Sequence, residues 1–356
     1  MIYFNSDYLE GAHPRIMELL QQTNMVQTDG YGEDDYCEKA RTLIREACQA
    51  PNALVQFLVG GTQTNMTVIS AALRPHQGVL CAHTGHINVH ETGAVESFGH
   101  KVLALSGANG KVSADAVRQY VSVHRTDPAF EHMVQPGMVY ISHPTETGTL
   151  YTRAELTALS EACRELGLYL FLDGARLAYG LAASDSDLDL PTIASLCDVF
   201  YIGGTKCGAL MGEAVVITHE ALKKDFRYLM KQKGGMLAKG RLLGLQFIGL
   251  FEKRLVDSTK EDGTTLYEEV GHHTIYLADK LRKAIHEMGI SFYNENTTNQ
   301  IFIVLEDRQI SEISKEFSLG YTERVDDTHS VMRICTSWAT KEENVDALIA
   351  ALKALA

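Results

Sequence analysis

The chain has 356 residues, of which 45% are hydrophobic and 22% charged. At roughly 150 residues per domain this predicts about two domains with sizeable cores, which excludes both a mini-fold and extended disorder. With 32 Lys and Arg against 45 Asp and Glu the net charge is −13, so the surface repels phosphate backbones and anionic lipid, and neither nucleic acid nor a membrane is an expected partner.

No run approaches the roughly 18 apolar residues of a membrane-spanning helix, and the opening residues lack a basic segment followed by an apolar one, so a cytoplasmic protein is expected. The seven Cys are scattered with no Cys-x-x-Cys, which suggests buried reduced thiols rather than disulfides or a structural zinc site.

Tyr36, Ala40, Leu43, Ile44 and Ala47 recur at helical spacing. From residue 50 to about 217, short apolar β-rich runs alternate with helix-length segments, the pattern of a parallel sheet covered on both faces. Strands are expected at Ala53 to Val59, Gly78 to Ala82, Lys101 to Leu105 and Met138 to Ser142. A helix then follows, opened by Thr152 and Glu155 as a capping box ahead of Leu156, Leu159 and Cys163. Further strands are expected at Leu168 to Leu172, Asp198 to Ile202 and Glu213 to Thr218. A mainly helical stretch covers 219–287, followed by strands near 289–293, 300–305 and 331–335 and a last helix opened by Thr340 and Glu343. The expected architecture is α/β: a mostly parallel seven-stranded sheet with helices on both faces in a large domain, 11–250, and a smaller α+β domain built from 1–10 and 251–356.

In an open parallel sheet, ligands bind beyond the carboxyl ends of the strands. Two such ends stand out: Leu168 to Leu172 runs into Asp173-Gly-Ala-Arg176, and Asp198 to Ile202 runs into Gly203-Gly-Thr-Lys206. A carboxylate and an amine facing one crevice suit pyridoxal phosphate, whose aldehyde takes an amine and whose ring nitrogen takes an acid partner. Alternatively, Asp173 caps a turn and Lys206 is a solvated loop residue. Val59-Gly-Gly-Thr-Gln-Thr-Asn65 is a glycine turn entering a helix, where free N–H groups favour a phosphate. Neither Gly-x-Gly-x-x-Gly nor Gly-Lys-Ser/Thr is present, which disfavours a dinucleotide-binding fold and a P-loop NTPase. His83, His86 and His90 could suggest a metal, but no acidic partner motif accompanies them, and no metal is expected.

Several motifs in order along the chain resemble the threonine aldolase and β-eliminating lyase family of fold type I pyridoxal phosphate enzymes. They are Asn5-Ser-Asp7, Tyr31-Gly-Glu-Asp34, Gly61-Thr-Gln-Thr-Asn65, His86 with Glu91-Thr-Gly93, Asp173-Gly-Ala-Arg176, Thr205-Lys206, Gly234-Gly-Met236 and Arg333-Ile-Cys-Thr336. The resemblance implies pyridoxal 5'-phosphate as cofactor, Lys206 as the Schiff-base lysine, Asp173 as the partner of the ring nitrogen, Gly61 and Thr62 as the phosphate-cradling turn, and Arg176 and Thr205 as further cofactor-binding residues. It implies His86 stacked on the cofactor ring and a candidate base, although without the resemblance His86 reads better as a helix-surface or core histidine.

Arg176 and Arg333 match residues that hold the substrate carboxylate, with Ser6 beside them, while Val331 to Cys335 also reads as a plain strand. Tyr31 matches an aromatic that enters a neighbouring subunit's site, which implies a homodimer or homotetramer, though it could pack locally. Lys239 matches a residue reaching the partner's cofactor phosphate; the family commonly has Arg directly after Gly-Gly-Met, where this chain has Leu237. Ahead of Gly148, where many threonine aldolases carry a His, stands Glu146, a candidate proton acceptor or a turn-forming carboxylate.

The implied reaction is retro-aldol cleavage of a β-hydroxy-α-amino acid, such as threonine, allo-threonine or a bulkier analogue such as phenylserine, to glycine and an aldehyde. The alternatives are another lyase or a transaminase on the same fold, a catalytically silent binding protein, or a nicotinamide oxidoreductase.

Overall fold

The computed structural model describes residues 1–253, 255–257, 260–261 and 263–355. Seven strands, β1 (Leu54–Leu58), β2 (Gln77–Ala82), β3 (Lys101–Leu105), β4 (Gln135–Ser142), β5 (Tyr169–Asp173), β6 (Val199–Gly203) and β7 (Glu213–Ile217), form one sheet in the order β1-β7-β6-β5-β4-β2-β3. Every neighbouring pair is parallel except the two made by β7, which runs antiparallel to both β1 and β6. Most of these strands read as apolar runs because both faces are buried, whereas the edge strand β3 exposes Lys101 and Ala104. In β5, Leu170 and Leu172 join one hydrophobic cluster and Phe171 the cluster on the other face.

The principal helices are α1 (Asp35–Ala47), α2 (Gly61–Ala72), α3 (Arg153–Leu166), α4 (Arg241–Phe251), α5 (Leu266–Glu287) and α6 (Glu342–Leu355). The Thr152–Glu155 capping box closes both ways at the start of α3, the side chain of each meeting the backbone N–H of the other, so two otherwise orphaned donors are satisfied. The first half of α5 (Leu266, Tyr267, Val270, Ile275) packs into the first cluster. Its second half (Leu277, Ala278, Leu281, Ile285) packs into a third with Phe4 and a smaller sheet. That sheet consists of β8 (Gln300–Glu306), β9 (Gly320–Arg324) and β10 (His329–Cys335), antiparallel in the order β8-β10-β9.

Two local expectations are corrected. Residues 289–293 form no strand: beyond the left-handed Gly289 (φ 72°) the segment makes a single bridge, Phe292 to Ile303. The stretch 219–287 is mainly helical as expected, interrupted where short strands Leu255–Asp257 and Lys260–Glu261 pair. Thr340 does not open the last helix, which begins at Glu342; its hydroxyl accepts the Ser337 N–H at 2.8 Å instead.

Candidate active site

Asp173, Gly203 and Ser142 are the last residues of β5, β6 and β4, so the turns that follow them crowd one edge of the sheet. The turns beyond β5 and β6 lock together through glycine. Gly203 N–H donates to the Gly174 carbonyl at 3.0 Å, and a Cβ on Gly203 would stand 2.4 Å from the Ala175 oxygen. Gly203→Ala is therefore expected to push the Asp173 and Lys206 turns apart and to cost about 1–3 kcal/mol, an overpacking penalty readable as a lower urea midpoint.

At this edge lies a cavity of about 290 Å3. Of the residues singled out in the sequence, Gly61, Thr62, His86, Glu146, Asp173, Arg176, Thr205 and Lys206 line it; Tyr8, Ser142, Tyr201 and Glu213 join them. Gly60 caps α2, and the first N–H groups of that helix, at Gly61 and Thr62, have no intrahelical partner, which leaves donors and the positive end of the dipole at the cavity wall.

Asp173 is 5% exposed. Its Oδ2 accepts from Tyr140 OH at 2.5 Å and Asn65 Nδ2 at 3.2 Å, and its Oδ1 accepts the Ala175 N–H at 3.0 Å. Burial alone would raise its pKa, but the His86 charge and the Tyr140 and Tyr201 phenols outweigh burial and hold it below the ordinary carboxylate value. The result is a fixed anion in the cavity wall. Lys206, on the turn after β6, makes no ion pair among the described residues, and its Nζ lies 5.9 Å from the Tyr8 ring centroid. Burial and the neighbouring Arg176 lower its pKa, against the opposing pull of Asp7, Asp173 and Glu213, and so favour the nucleophilic free amine.

His86 stands on a short helix, His86–Val89, with Nδ1 2.7 Å from Glu91 Oε1. Burial opposes a charge on the ring, but the Glu91 bond and Asp173 prevail, and its pKa is raised. Glu91 Oε1 also accepts from Asn65 Nδ2 at 2.7 Å, so one amide ties His86's partner to Asp173. Glu146 Oε1 accepts from Ser142 Oγ at 2.6 Å and from the His86 N–H at 2.9 Å. Burial nevertheless raises its pKa, with Asp173 pushing the same way.

Ser6 and Arg333 do not line the cavity, yet they gather with Arg176 around the segment Asn5-Ser-Asp7. Arg176 Nε and Nη2 grip Asp7 at 2.6 and 3.1 Å, and Arg333 Nη2 donates to the Asn5 carbonyl at 3.0 Å. Ser6 is buried with its hydroxyl unpartnered. Tyr31 and Lys239 lie away from the cavity but beside one another in the fold. The Tyr31 N–H donates to the Ala238 carbonyl at 3.3 Å, and the Tyr31 ring is 45% exposed under Lys231 Nζ at 4.6 Å. Asp7 and Glu91 belong to motifs noted in the sequence without a role. Glu213 gave no signal at all, since an acid opening an apolar run reads as a solvated strand end.

These features define a fold type I pyridoxal phosphate enzyme. A family model, beta-eliminating lyase, matches residues 4–308. A low specificity L-threonine aldolase of Pseudomonas sp. (strain NCIMB 10558) is 29% identical over 99% of this chain and 97% of its own length. A second, from Pseudomonas aeruginosa, is 32% identical over 70% of this chain and 71% of its own. Among solved structures, Leishmania major threonine aldolase is 43% identical, with a TM-score of 0.94 covering 100% of this chain and 99% of that one. The chain belongs to the beta-eliminating lyase family.

Its cofactor is pyridoxal 5'-phosphate, and the cavity fits it. Lys206 offers an amine, Asp173 a buried anion for the ring nitrogen, and the start of α2 the donors for the phosphate. No helix among the described residues is long and apolar enough to cross a membrane.

Proposed function

We propose that this chain cleaves β-hydroxy-α-amino acids, threonine first among them, to glycine and an aldehyde. The observation that carries the reading is that Lys206, Asp173 and Glu146 line one cavity, so an amine, an anion and a proton acceptor all reach one small ligand. Bound there, pyridoxal phosphate supplies the electron sink that Cα–Cβ cleavage requires.

Lys206 tethers the cofactor, Asp173 keeps a proton on the ring nitrogen, and Gly61, Thr62 and Thr205 surround the phosphate. Arg176 and Arg333, with the Ser6 hydroxyl, orient the substrate carboxylate. The Asp7 carboxylate fixes the plane of the Arg176 guanidinium. The Glu91 bond and Asp173 favour the cationic form of His86, and Glu146, whose pKa burial raises, is the acceptor of the β-hydroxyl proton. A carboxylate of raised pKa is a stronger base than an ordinary one.

Glu146→Gln is expected to lower kcat about 100-fold while cofactor content is unchanged, and to remove the acidic limb of the pH–rate profile. In the wild type kcat is expected to rise with pH as Glu146 ionises, its pKa being raised by burial from the ordinary value. Product analysis with L-threonine tests the function: equal glycine and acetaldehyde are expected, and ammonia with a keto acid would instead mark Cα–H chemistry.

We further infer a homodimer or homotetramer in which Tyr31 and Lys239 reach a neighbouring subunit's site. Tyr31 is an exposed aromatic held at φ 60°, a conformation rare for a non-glycine residue and one that attracts functional explanations. A reducing compartment, the cytoplasm, suits seven free buried thiols.

A further inference from the structure

Glu213 has no part in the roles above. It is the first residue of β7, and the antiparallel register sets it opposite Leu58 at the end of β1 and Gly203 at the end of β6. It therefore stands between the glycine turn leading into α2 and the turn that carries Thr205 and Lys206. Glu213 is 3% exposed. Its Oε1 is 3.0 Å from Thr205 Oγ1, which also accepts the Gly212 N–H at 3.0 Å, while Oε2 has no partner.

An ionised carboxylate here would repel a phosphate bound in the same cavity. Burial pushes Glu213 up to about 8, Asp173 adds to the rise, and Thr205, Lys206 and the Gly204 backbone oppose it, so the acid keeps its proton near neutrality. The titratable groups around it are Asp173 from β5, Tyr201 from β6, Lys206 and Cys207 from the following turn, and Tyr267 from α5. Burial holds Cys207 and both tyrosines neutral, and α2 carries no titratable side chain. Lys206 and Asp173 are the charged groups that act most strongly on Glu213.

We propose that protonated Glu213 donates to Thr205 Oγ1 and thereby releases the threonine's own hydroxyl proton to the cofactor phosphate, so that phosphate capture is linked to one proton on Glu213. This rests on the assignment of the cavity to pyridoxal phosphate. A hydroxyl has one proton and two lone pairs. While Thr205 donates to an ionised Glu213 it has no proton for an anion. When Glu213 is the donor, Thr205 accepts from Glu213 and Gly212 and gives its proton to the phosphate. Glutamine at 213 carries an N–H donor at every pH and so mimics the protonated acid.

The test is binding of pyridoxine 5'-phosphate and of pyridoxine to the full chain stripped of cofactor, by calorimetry between pH 7.5 and 9.5. Neither ligand has an aldehyde to react with Lys206, the phosphate ester stays dianionic over this range, and the ratio of the two Kd values isolates the phosphate's contribution. In the wild type the preference for the phosphorylated ligand is expected to fall about tenfold between pH 8.5 and 9.5. In Glu213→Gln it should stay within twofold over the same range. A flat wild-type ratio would overturn the proposal, as would Glu213→Gln retaining the fall, which would assign it to Lys206. Should Glu213→Gln not fold, Thr205→Val decides: a weaker preference that falls less with pH than the wild type's is expected, the remainder being direct repulsion by Glu213, and an undiminished preference with the full wild-type fall would contradict the role of the Thr205 hydroxyl. If neither ligand binds at any pH, the cofactor assignment itself fails, whereas binding with a flat ratio removes the Glu213 proposal alone.

Discussion

Lys206→Ala is expected to slow threonine cleavage by at least about 10000-fold, about 5 kcal/mol of barrier, and to let the cofactor leave on dialysis. The loss is confined to the amine. Tyr179 OH bonds the Lys206 carbonyl, a backbone contact that alanine keeps, and the Asp173 network and the start of α2 are built from other residues. The variant should therefore fold and still take the cofactor without a covalent tether. Burial and Arg176 already favour the neutral amine in the wild type, and no other lysine lines the cavity to replace it. Aldehyde release and cofactor retention, measured together, check both halves of the expectation; wild-type turnover by the variant would contradict it.

Asp7→Ala is expected to be the most damaging of these substitutions to the fold, at about 3–5 kcal/mol, because it strands a buried guanidinium. Asp7 is fully buried, gripped by Arg176 through two nitrogens and by Asn299 Nδ2 at 2.9 Å. Burial pushes its pKa up, but Arg176, Lys206 and Asn299 outweigh burial and lower it to about 2 from an ordinary 3.8. Because the folded-state pKa is depressed, this stabilisation is complete above about pH 4 and is lost as the pH falls through about 2. It is worth about 2 kcal/mol in that window. Urea unfolding of the two proteins at pH 7 and pH 3 measures both effects: a large gap at pH 7 that narrows at pH 3. The change also frees Arg176 to rotate, so KM for the amino acid should rise in whatever Asp7→Ala protein remains folded.

The reasons some features were legible in the sequence and others were not are physical. All seven strands of the large sheet were readable from short apolar runs and their flanking turns, mostly because a strand buried on both faces must be largely apolar, while the edge strand β3 kept its run despite the exposed Lys101 and Ala104. Strand β9, Gly320 to Arg324, was invisible, being mostly exposed, with Tyr-Thr-Glu-Arg leaving no apolar alternation to detect. Residues 289–293 misled in the opposite sense, since an apolar segment beside a sheet need not share its ladder. In the site, Asp173 and Lys206 were legible from their place just beyond strand ends, a local property.

Glu213 was not legible, because its burial depends on β7 being inserted antiparallel between β1 and β6, a strand order that no local pattern encodes. Arg176 shows an intermediate case. Its residue type predicted a carboxylate partner, and the structure supplies one from within the chain, Asp7, held 169 positions away in sequence. Tyr31 and Lys239 gave separate signals, and only the fold makes them neighbours through the Ala238 carbonyl.

The proposed function depends above all on one amine holding the cofactor against the Asp173 wall. Borohydride reduction of the purified, cofactor-loaded protein, followed by digestion and peptide mass measurement, addresses this directly. A single pyridoxyl adduct on the peptide containing Lys206 is the predicted result; an adduct on any other lysine, with Lys206 unmodified, would contradict it.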